Sequence, residues 1–574
     1  MEKPWTRFYD PGVPATLAYP AHPLHEYLSR SARKFPDHPA LIFFDRTICY
    51  RELDEAATRF AAALQALGIR TGDRVSLYLP NTPQYVIAYF GILRAGGVVV
   101  PTNPQYVMRE LEHQLRDSGA RAIVTLSLFF DKVQAVRGQT PLEQVIVTNI
   151  KEYFPPITKV LFTLFREQKD GHRVGISGLS NTSWFQDLLN HPGSSGFTPV
   201  AVSQDDLAVL GYTGGTTGTP KGAMLTHRNL VANVEQLRVW DPEAQEGAEI
   251  TVGALPFFHS YGQTVVMNLA IASAGAIICI PNPRELDGVL KVIDKHKPTR
   301  FPGVPTLYTA INNSPQLSRY SLKSIRVCNS GAGALPPEVQ KAFEALTGAR
   351  LVEGYGLTEA SPVTHSNPLR SKRKIGSIGI PFPDTEVKLV NVETGQAVGV
   401  GEEGEIVIRG PQIMKGYWNR PDETANALRE LGDGGGPWLF TGDIGRMDEE
   451  GYFAIVDRKK DMIKTSGFNV YPREVEDVLY EHPAVLEAAV VGVPDEHRIE
   501  AVKAYVVLRQ GRSATEQEIR DFCRQRLTGY KVPRAVEFRD SLPKSMVGKI
   551  LRRVLVEEEA AAKAKASPPE KTPA

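Results

Sequence analysis

What most constrains the fold of this chain is an alternation: short, continuously apolar runs separated by amphipathic stretches of helix length. From Glu52 onward, Leu53, Ala56, Ala57, Phe60 and Leu64 recur at helical spacing, and after the turn GIRTGD the run VSLYL reads as a strand. Pro83 opens a helix that reaches Ala95, and residues 98–100 follow as a second apolar strand. The same rhythm returns around 207–212, 277–280 and 325–328. Apolar strands joined by helices predict parallel sheets built from βαβ units. From about 376 to 456 the texture changes to short alternating strands such as EVKLV and EIVIRG between Gly-rich turns, which predicts an antiparallel, barrel-like appendage. After DRKKD the chain returns to mixed α and β, a second small domain by length.

Charge and cysteine usage narrow the function. The 574 residues carry 66 basic and 65 acidic side chains, so no bulk field gathers a polyanion, nucleic acid is not expected as a partner, and phosphate recognition has to be local. Cys49, Cys279, Cys328 and Cys523 form no CxxC pair, which argues against a zinc ribbon or a disulfide scaffold and for a reducing cytosol. The opening MEKPWTRFYDPGVP lacks the basic stretch, apolar run and cleavage site of a secretory signal, so a cytoplasmic location is expected. The most apolar segment, 264–280, is shorter than the ~20 residues of a spanning helix and is interrupted by Asn268, Ser273 and Gly275; it reads as a buried helix followed by a buried strand.

The most informative motif is YTGGTTGTPKG at 212–222, directly after the apolar run LAVLGY. Thr213, Gly214, Gly215, Thr216, Thr217, Gly218 and Thr219 offer backbone N–H groups and hydroxyls to phosphate oxygens, with Lys221 as a point charge. It is not a Walker A loop, because Pro220 stands where a glycine should precede the lysine.

With this loop the sequence resembles the adenylate-forming acyl-CoA synthetases, relatives of firefly luciferase and of peptide-synthetase adenylation domains. The resemblance continues through PFFHSYG from Pro256, VEGYGLTEASPVTHSNP from Val352, GEIVIRGPQIMKGYWNRP from Gly404, TGD from Thr441, GYFAIVDRKKDMIKTSGFNVYPREVE from Gly451 and LPKSMVGKILRR from Leu542. The spelling of PFFHSYG, SPVTHSNP and KTSGFNVYP is most similar to bacterial long-chain fatty acid CoA ligases. The resemblance implies an α/β protein: a large N-terminal domain, 1–457, of two doubly wound βαβ subdomains and a β-barrel-like subdomain, a hinge at 458–460, and a small mobile α+β C-terminal domain, 461–556. Residues 557–574, with no large apolar side chain after Val556, read as a frayed helix and a disordered tail.

The implied reaction joins a fatty acid to coenzyme A through an acyl-adenylate, splitting ATP to AMP and pyrophosphate, with Mg2+ as cofactor. By motif, Lys549 matches the lysine that reaches the carboxylate and α-phosphate, and Thr358 a residue that holds the α-phosphate. Glu359 matches the Mg2+ carboxylate, as suits a hard cation bridging phosphates. Gly354, Tyr355 and Gly356 belong to the nucleotide site, with Tyr355 stacked on adenine, and Asp443 and Arg458 contact ribose and nucleotide. His259 is placed beside the acyl carboxylate, and Phe257, Phe258, Tyr261, Gly331 and Gly333 line the acyl tunnel. Some relatives gate that tunnel with a tryptophan whose place here is Gln263, so tryptophan gating is not expected. Lys460 is the hinge position; Ser466, Gly467 and Phe468 are implied coenzyme A contacts. Asp540, Ser541 and Leu542 spell the DSL of carrier proteins, but Phe538 replaces the glycine such a site carries, and the match is rejected. Alternatives left open are a medium-chain or aryl-acid CoA ligase, an acyl-AMP ligase that loads a carrier protein, and, as the weakest, a non-catalytic nucleotide-binding protein.

One segment stands outside these motifs. In FPPITKVLFTLFREQK, 154–169, Ile157, Leu161, Leu164 and Phe165 share a helical face flanked by Lys159 and Arg166. Such a helix lies in a membrane interface or packs on the main domain; Val160 and Phe162 blur the polar face, which favours packing. Peripheral contact with the inner face of a membrane, and a homodimer, are left open as partners.

Overall fold

The computed structural model describes residues 3–190, 197–213, 220–459, 461–465, 468–495, 499–545 and 548–566. Contacts divide the chain into two compact units, one of Met1–Ile375, Gly379–Glu386 and Ile408–Leu439, the other of Gly376–Ile378, Val387–Val407 and Phe440–Ala574.

The first unit is built on two largely parallel sheets. One has seven strands in the order Thr182–Trp184, Gln144–Thr148, Ala122–Leu126, Arg74–Tyr78, Val98–Pro101, Leu207–Thr213 and Lys221–Thr226, all parallel except the last. The other has nine, and its parallel centre runs Arg350–Gly356, Val327–Ser330, Arg300–Gly303, Ile250–Gly253, Ala276–Cys279 and Pro39–Phe43. The expected helices appear at Tyr50–Ala66 and Pro83–Arg94; the second is buried along its whole length because helices as well as sheet cover it. Residues 264–280 form the expected buried helix and strand, although the helix begins as a π-helix, Gly262–Asn268.

Asn81 ties the two sheets together. It follows the strand Arg74–Tyr78 of the seven-stranded sheet, and its amide donates to the carbonyls of Gly253 and Leu255 (2.9 and 2.7 Å) beyond the end of a strand in the nine-stranded sheet. Its side-chain oxygen accepts from the Phe257 N–H at 2.8 Å. The carboxyl ends of both sheets are thereby held side by side.

In the second unit, residues 440–447 of the strand Trp438–Met447 pair antiparallel with Phe453–Arg458, in register at Asp443 and Arg458. Further on, the strands Phe468–Val470, Ile463–Thr465, Ile499–Leu508 and Val485–Asp495 form an antiparallel sheet, and Ala535–Phe538 adds in parallel to Ile499–Leu508. Helices Pro472–Tyr480 and Glu516–Arg524 cover one face through Val475, Leu479, Ile519 and Cys523. Within this unit Asp457 accepts from the Arg473 N–H at 2.7 Å and from the Arg552 guanidinium at 3.1 Å. Those contacts bind the end of the ladder to the C-terminal segment.

A helix runs Arg552–Ala566, within the stretch read as a helix before the tail; it is seated by the buried Leu555, and Glu559 accepts from the Tyr505 hydroxyl at 2.5 Å and pairs with Lys503, while residues 567–574 lie outside the described residues. Polar mooring does there what large apolar side chains do elsewhere. The segment 154–169 does form a helix, Pro156–Phe165, but none of its residues is buried, so its apolar face is not packed on the main domain.

If Asn81 fastens the sheets, Asn81→Ala leaves the Leu255 carbonyl and the Phe257 N–H without the Asn81 partner, and the Gly253 carbonyl with only its bond from the Ile280 N–H, and should cost about 1–3 kcal/mol. Urea denaturation followed by tryptophan fluorescence should show the earliest transition at a lower midpoint; an unchanged midpoint would mean the tether carries no load.

Candidate functional site

In the first unit the candidate side chains lie at or beyond the carboxyl end of a strand, except Lys221, which opens one. Leu207–Thr213 leads into residues 214–219, Ile250–Gly253 into Phe258 and His259, Val327–Ser330 into Gly331 and Gly333, and Arg350–Gly356 into Thr358 and Glu359. Gly214, Gly215, Thr216, Thr217, Gly218 and Thr219 lie outside the described residues, but their flanks are in place: Thr213 pairs with Lys221 in antiparallel register. The flanking strands are therefore the two arms of a hairpin, and Lys221 begins a strand, where the lysine of a Walker A loop would open a helix.

Thr358 and Glu359 stand beside this hairpin. A Cβ on Gly211 would come within 2.6 Å of the Thr358 methyl, so only glycine at 211 lets Thr358 sit against the strand. The Thr358 hydroxyl is 3.1 Å from that of Ser260. Glu359 Oε1 accepts from the Tyr417 hydroxyl at 2.8 Å, and burial next to that carboxylate pushes the Tyr417 phenol up, keeping it a neutral donor. Tyr417 arrives because residues 415–418 lie alongside 222–224, through Met224 N–H to Gly416 carbonyl and Trp418 N–H to Gly222 carbonyl, both 2.8 Å. Its ring lies 5.3 Å from the Lys221 ammonium, which also pairs with Glu423. Gly356 is fixed by close approach, since a Cβ there would overlap the Pro362 carbonyl. Gly354 and Tyr355 precede it on the same strand, and the Tyr355 ring meets His365 at 5.7 Å; burial pushes His365 down to about 3, so that ring is neutral.

Around His259 the chain is tightly held. Phe257 is fully buried, and its carbonyl accepts from the Tyr85 hydroxyl at 3.1 Å. Phe258 and His259 are half-buried. The Tyr261 N–H donates to His259 Nδ1 at 3.2 Å, which leaves Nε2 carrying the proton of the neutral ring. Gly262 starts the π-helix where a Cβ would overlap the Pro256 carbonyl. Tyr261 donates to the Asn329 carbonyl at 2.8 Å and its ring lies over Gly331, where a Cβ would stand 3.1 Å away; Gly333 has only Pro305 near. Gln263 is buried and donates to the Tyr89 hydroxyl at 2.9 Å.

The second unit carries the remaining candidates. Asp443 is buried, its N–H donates to Thr441 Oγ1 at 3.1 Å, and its carboxylate pairs with Arg458 Nε at 2.9 Å. The neighbouring Gly442 N–H donates to Glu405, which also holds Lys459 at 3.2 Å. Lys549 is anchored by its main chain, its N–H donating to Ser545 Oγ at 3.1 Å and its carbonyl accepting from the Ser545 N–H at 2.8 Å. By surface area the residue is exposed, yet its ammonium lies in crowded surroundings among charged groups. Partial loss of hydration, with repulsion from Arg458, brings its pKa down to about 8 against the pull of Asp443 and Asp461. Lys460, Ser466 and Gly467 lie outside the described residues; Phe468 is placed only as a strand residue opposite Thr465.

Among the described residues no group of three or more His, Cys, Asp or Glu could hold a metal ion unaided. A lone carboxylate such as Glu359, with one oxygen engaged by Tyr417, suits Mg2+ that takes most of its ligands from phosphates and water. Sequence reasoning missed Gly211, Asn81, Ser260, Tyr417 and Glu423. Tyr417 lies within a recognised block, but its partnership with Glu359 depends on a long-range pairing that spacing does not reveal.

A model of the AMP-binding enzyme family matches residues 28–418, and one of the AMP-binding enzyme C-terminal domain matches residues 474–549. The chain is 48% identical over 559 residues to a long-chain-fatty-acid–CoA ligase of Bacillus subtilis (strain 168), covering 97% of this chain and 98% of the relative. It is 43% identical over 561 residues to a long-chain-fatty-acid–CoA ligase of Escherichia coli O157:H7, with the same coverage. The crystal structure of ATP-bound MatB from Rhodopseudomonas palustris superposes with a TM-score of 0.81 at 30% identity, covering 94% of this chain and 99% of that one.

The charge environment of Lys549 can be tested directly. Reductive methylation with isotopic labelling should show its amine titrating near 8; Arg458→Gln should move that value up and Asp443→Asn move it down. Titration at the ordinary lysine value in all three proteins would remove the coupling.

Proposed function

The chain belongs to the family of AMP-binding enzymes, and we propose that it is an ATP-dependent long-chain-fatty-acid–CoA ligase whose nucleotide chemistry is carried by the residues assembled above. The observation that carries the reading is the convergence of Thr358, Glu359 and Lys221 where strands of two sheets end, the place where an α/β architecture takes a nucleotide. The relatives' substrate supports a long-chain acid.

In the first step a carboxylate oxygen bonds to the α-phosphorus of ATP, the α–β phosphoanhydride breaks, and pyrophosphate leaves with the bonding electrons. The hairpin donors, Thr358 and Lys549 offset the charge that grows there, and His259, with its proton on Nε2, orients the acyl carboxylate. Asp443 accepts from ribose hydroxyls while Arg458 fixes its carboxylate, and Tyr355 stacks on the base. Glu359 would hold Mg2+, which when bound neutralises phosphate charge. In the second step the coenzyme A sulfur bonds to the acyl carbon, AMP leaves, and the thiol proton passes to solvent. Ser466, Gly467 and Phe468 are the proposed coenzyme A contacts, and Lys460 the hinge that exchanges them with Lys549. Phe257, Phe258, Tyr261, Gly331 and Gly333 line the acyl path. Peripheral contact with a lipid surface, where long-chain acids partition, is part of the same proposal.

The direct test is product analysis: fatty acid, ATP, Mg2+ and coenzyme A should give acyl-CoA, AMP and pyrophosphate, with kcat/KM highest for long chains in a panel running from short to long. Pyrophosphate exchange without acylation of coenzyme A would assign another acceptor.

Lys549→Ala should slow adenylate formation on the order of 100-fold or more while leaving thioester formation from preformed acyl-adenylate much less affected; equal loss in both half-reactions would remove Lys549 from the first step. The pH dependence has a definite sign. Lys549 is a cation below about 8, so kcat/KM for ATP in pyrophosphate exchange should fall as pH rises through that value. Bound phosphates favour the ammonium, so the same limb in kcat should lie at higher pH. Lys549→Arg, always charged, should lack the limb; a wild-type profile flat to pH 10 would contradict the assignment.

A further inference from the structure

The helix Pro156–Phe165 presents its apolar side to solvent. Ile157, Val160, Leu161, Leu164 and Phe165, spaced i, i+3, i+4, i+7 and i+8, are between 51% and 76% exposed. The opposite side faces the protein: the Phe162 ring meets Phe154 at 5.4 Å and His172 at 5.5 Å, and Lys159 pairs with Glu152 at 2.6 Å. The helix is thus held from beneath, and its five outward side chains form one stripe.

Charge around the stripe is biased. Residues 151–173 hold five basic side chains (Lys151, Lys159, Arg166, Lys169, Arg173) against three acidic ones (Glu152, Glu167, Asp170), in a chain whose overall balance is +1. Lys151, Lys159 and Arg166 pair with Glu167, Glu152 and Asp170. Lys169 and Arg173 are exposed and form no ion pair among the described residues. Ten residues span ~15 Å and offer on the order of a few hundred Å2 of apolar surface, short of the ~800 Å2 per partner that a stable protein–protein interface buries. A lipid surface needs no such area: it accepts a shallow apolar stripe while its anionic head groups meet the cations alongside.

We propose that Pro156–Phe165 is an interfacial helix that docks this chain on an anionic lipid surface, with Leu161, Leu164 and Phe165 inserted and Lys169 and Arg173 at the head groups. The proposal stands on the helix itself; the ligase reading on which its purpose rests supplies only the reason, since a long-chain acid is drawn from the membrane it dissolves in.

The test is co-sedimentation of the full chain, without substrates, with vesicles of phosphatidylcholine alone or mixed with phosphatidylglycerol. Wild type should bind the mixed vesicles, Leu164→Glu/Phe165→Glu should lose that binding about 10-fold or more, and Lys169→Glu/Arg173→Glu should lose the preference for the anionic vesicles. All four substituted side chains are exposed, so circular dichroism and the rate with a short, water-soluble acid in vesicle-free buffer should be unchanged; a ligase that fails only this last assay would leave the docking result standing. A wild type that does not sediment, or a stripe variant that sediments like wild type, overturns the proposal. So does a wild-type dimer by light scattering that the stripe variant dissolves, which would assign the stripe to a second copy.

Discussion

Parallel strands impose a constraint on which the rest of this molecule depends. A parallel strand cannot turn straight back, so each chain segment leaves at the carboxyl edge and travels over a face of the sheet before returning. Everything that leaves such a sheet leaves from the same side. Four of the motifs in the first unit sit on those exits, and Asn81 holds the exits of two sheets in contact. In the seven-stranded sheet the antiparallel strand Lys221–Thr226 pairs back on Leu207–Thr213, which puts Lys221 at the start of a strand.

The near-neutral charge balance sets the electrostatic style of the site. With no bulk field to draw ATP and coenzyme A, the cations have to be placed singly, and several are held by a carboxylate: Lys221 by Glu423, Arg458 by Asp443, Lys459 by Glu405. Such partly exposed pairs add little stability, roughly 0–1 kcal/mol each. Their effect is positional: each carboxylate fixes where its cation stands. Lys549 is different, since lost hydration, with repulsion from Arg458, brings its pKa down to about 8.

The sequence made much of this visible, for identifiable reasons. Helical spacing from Leu53 to Leu64 and the apolar runs at 98–100 and 207–212 are local signals, and the observed elements follow them. What stayed hidden depends on tertiary placement. Tyr417 meets Glu359 only because 415–418 lies along 222–224, and Gly211 matters only because Thr358 rests on it. Periodicity showed that 157, 161, 164 and 165 share a face, but not that the face looks outward, which Phe162 and Lys159 decide from the other side. That Glu559 moors the C-terminal helix to Lys503 and Tyr505 was equally hidden, because those partners lie far off in the sequence.

The central claim is that the acid is activated as an acyl-adenylate, with the carboxylate oxygen attacking the α-phosphorus. A fatty acid labelled with 18O in its carboxylate, turned over with ATP and coenzyme A, tests this most directly. Mass spectrometry of the nucleotide product should find AMP carrying one 18O atom in its phosphate, with unlabelled pyrophosphate. Label in inorganic phosphate together with ADP would place the attack at the terminal phosphorus and contradict the account.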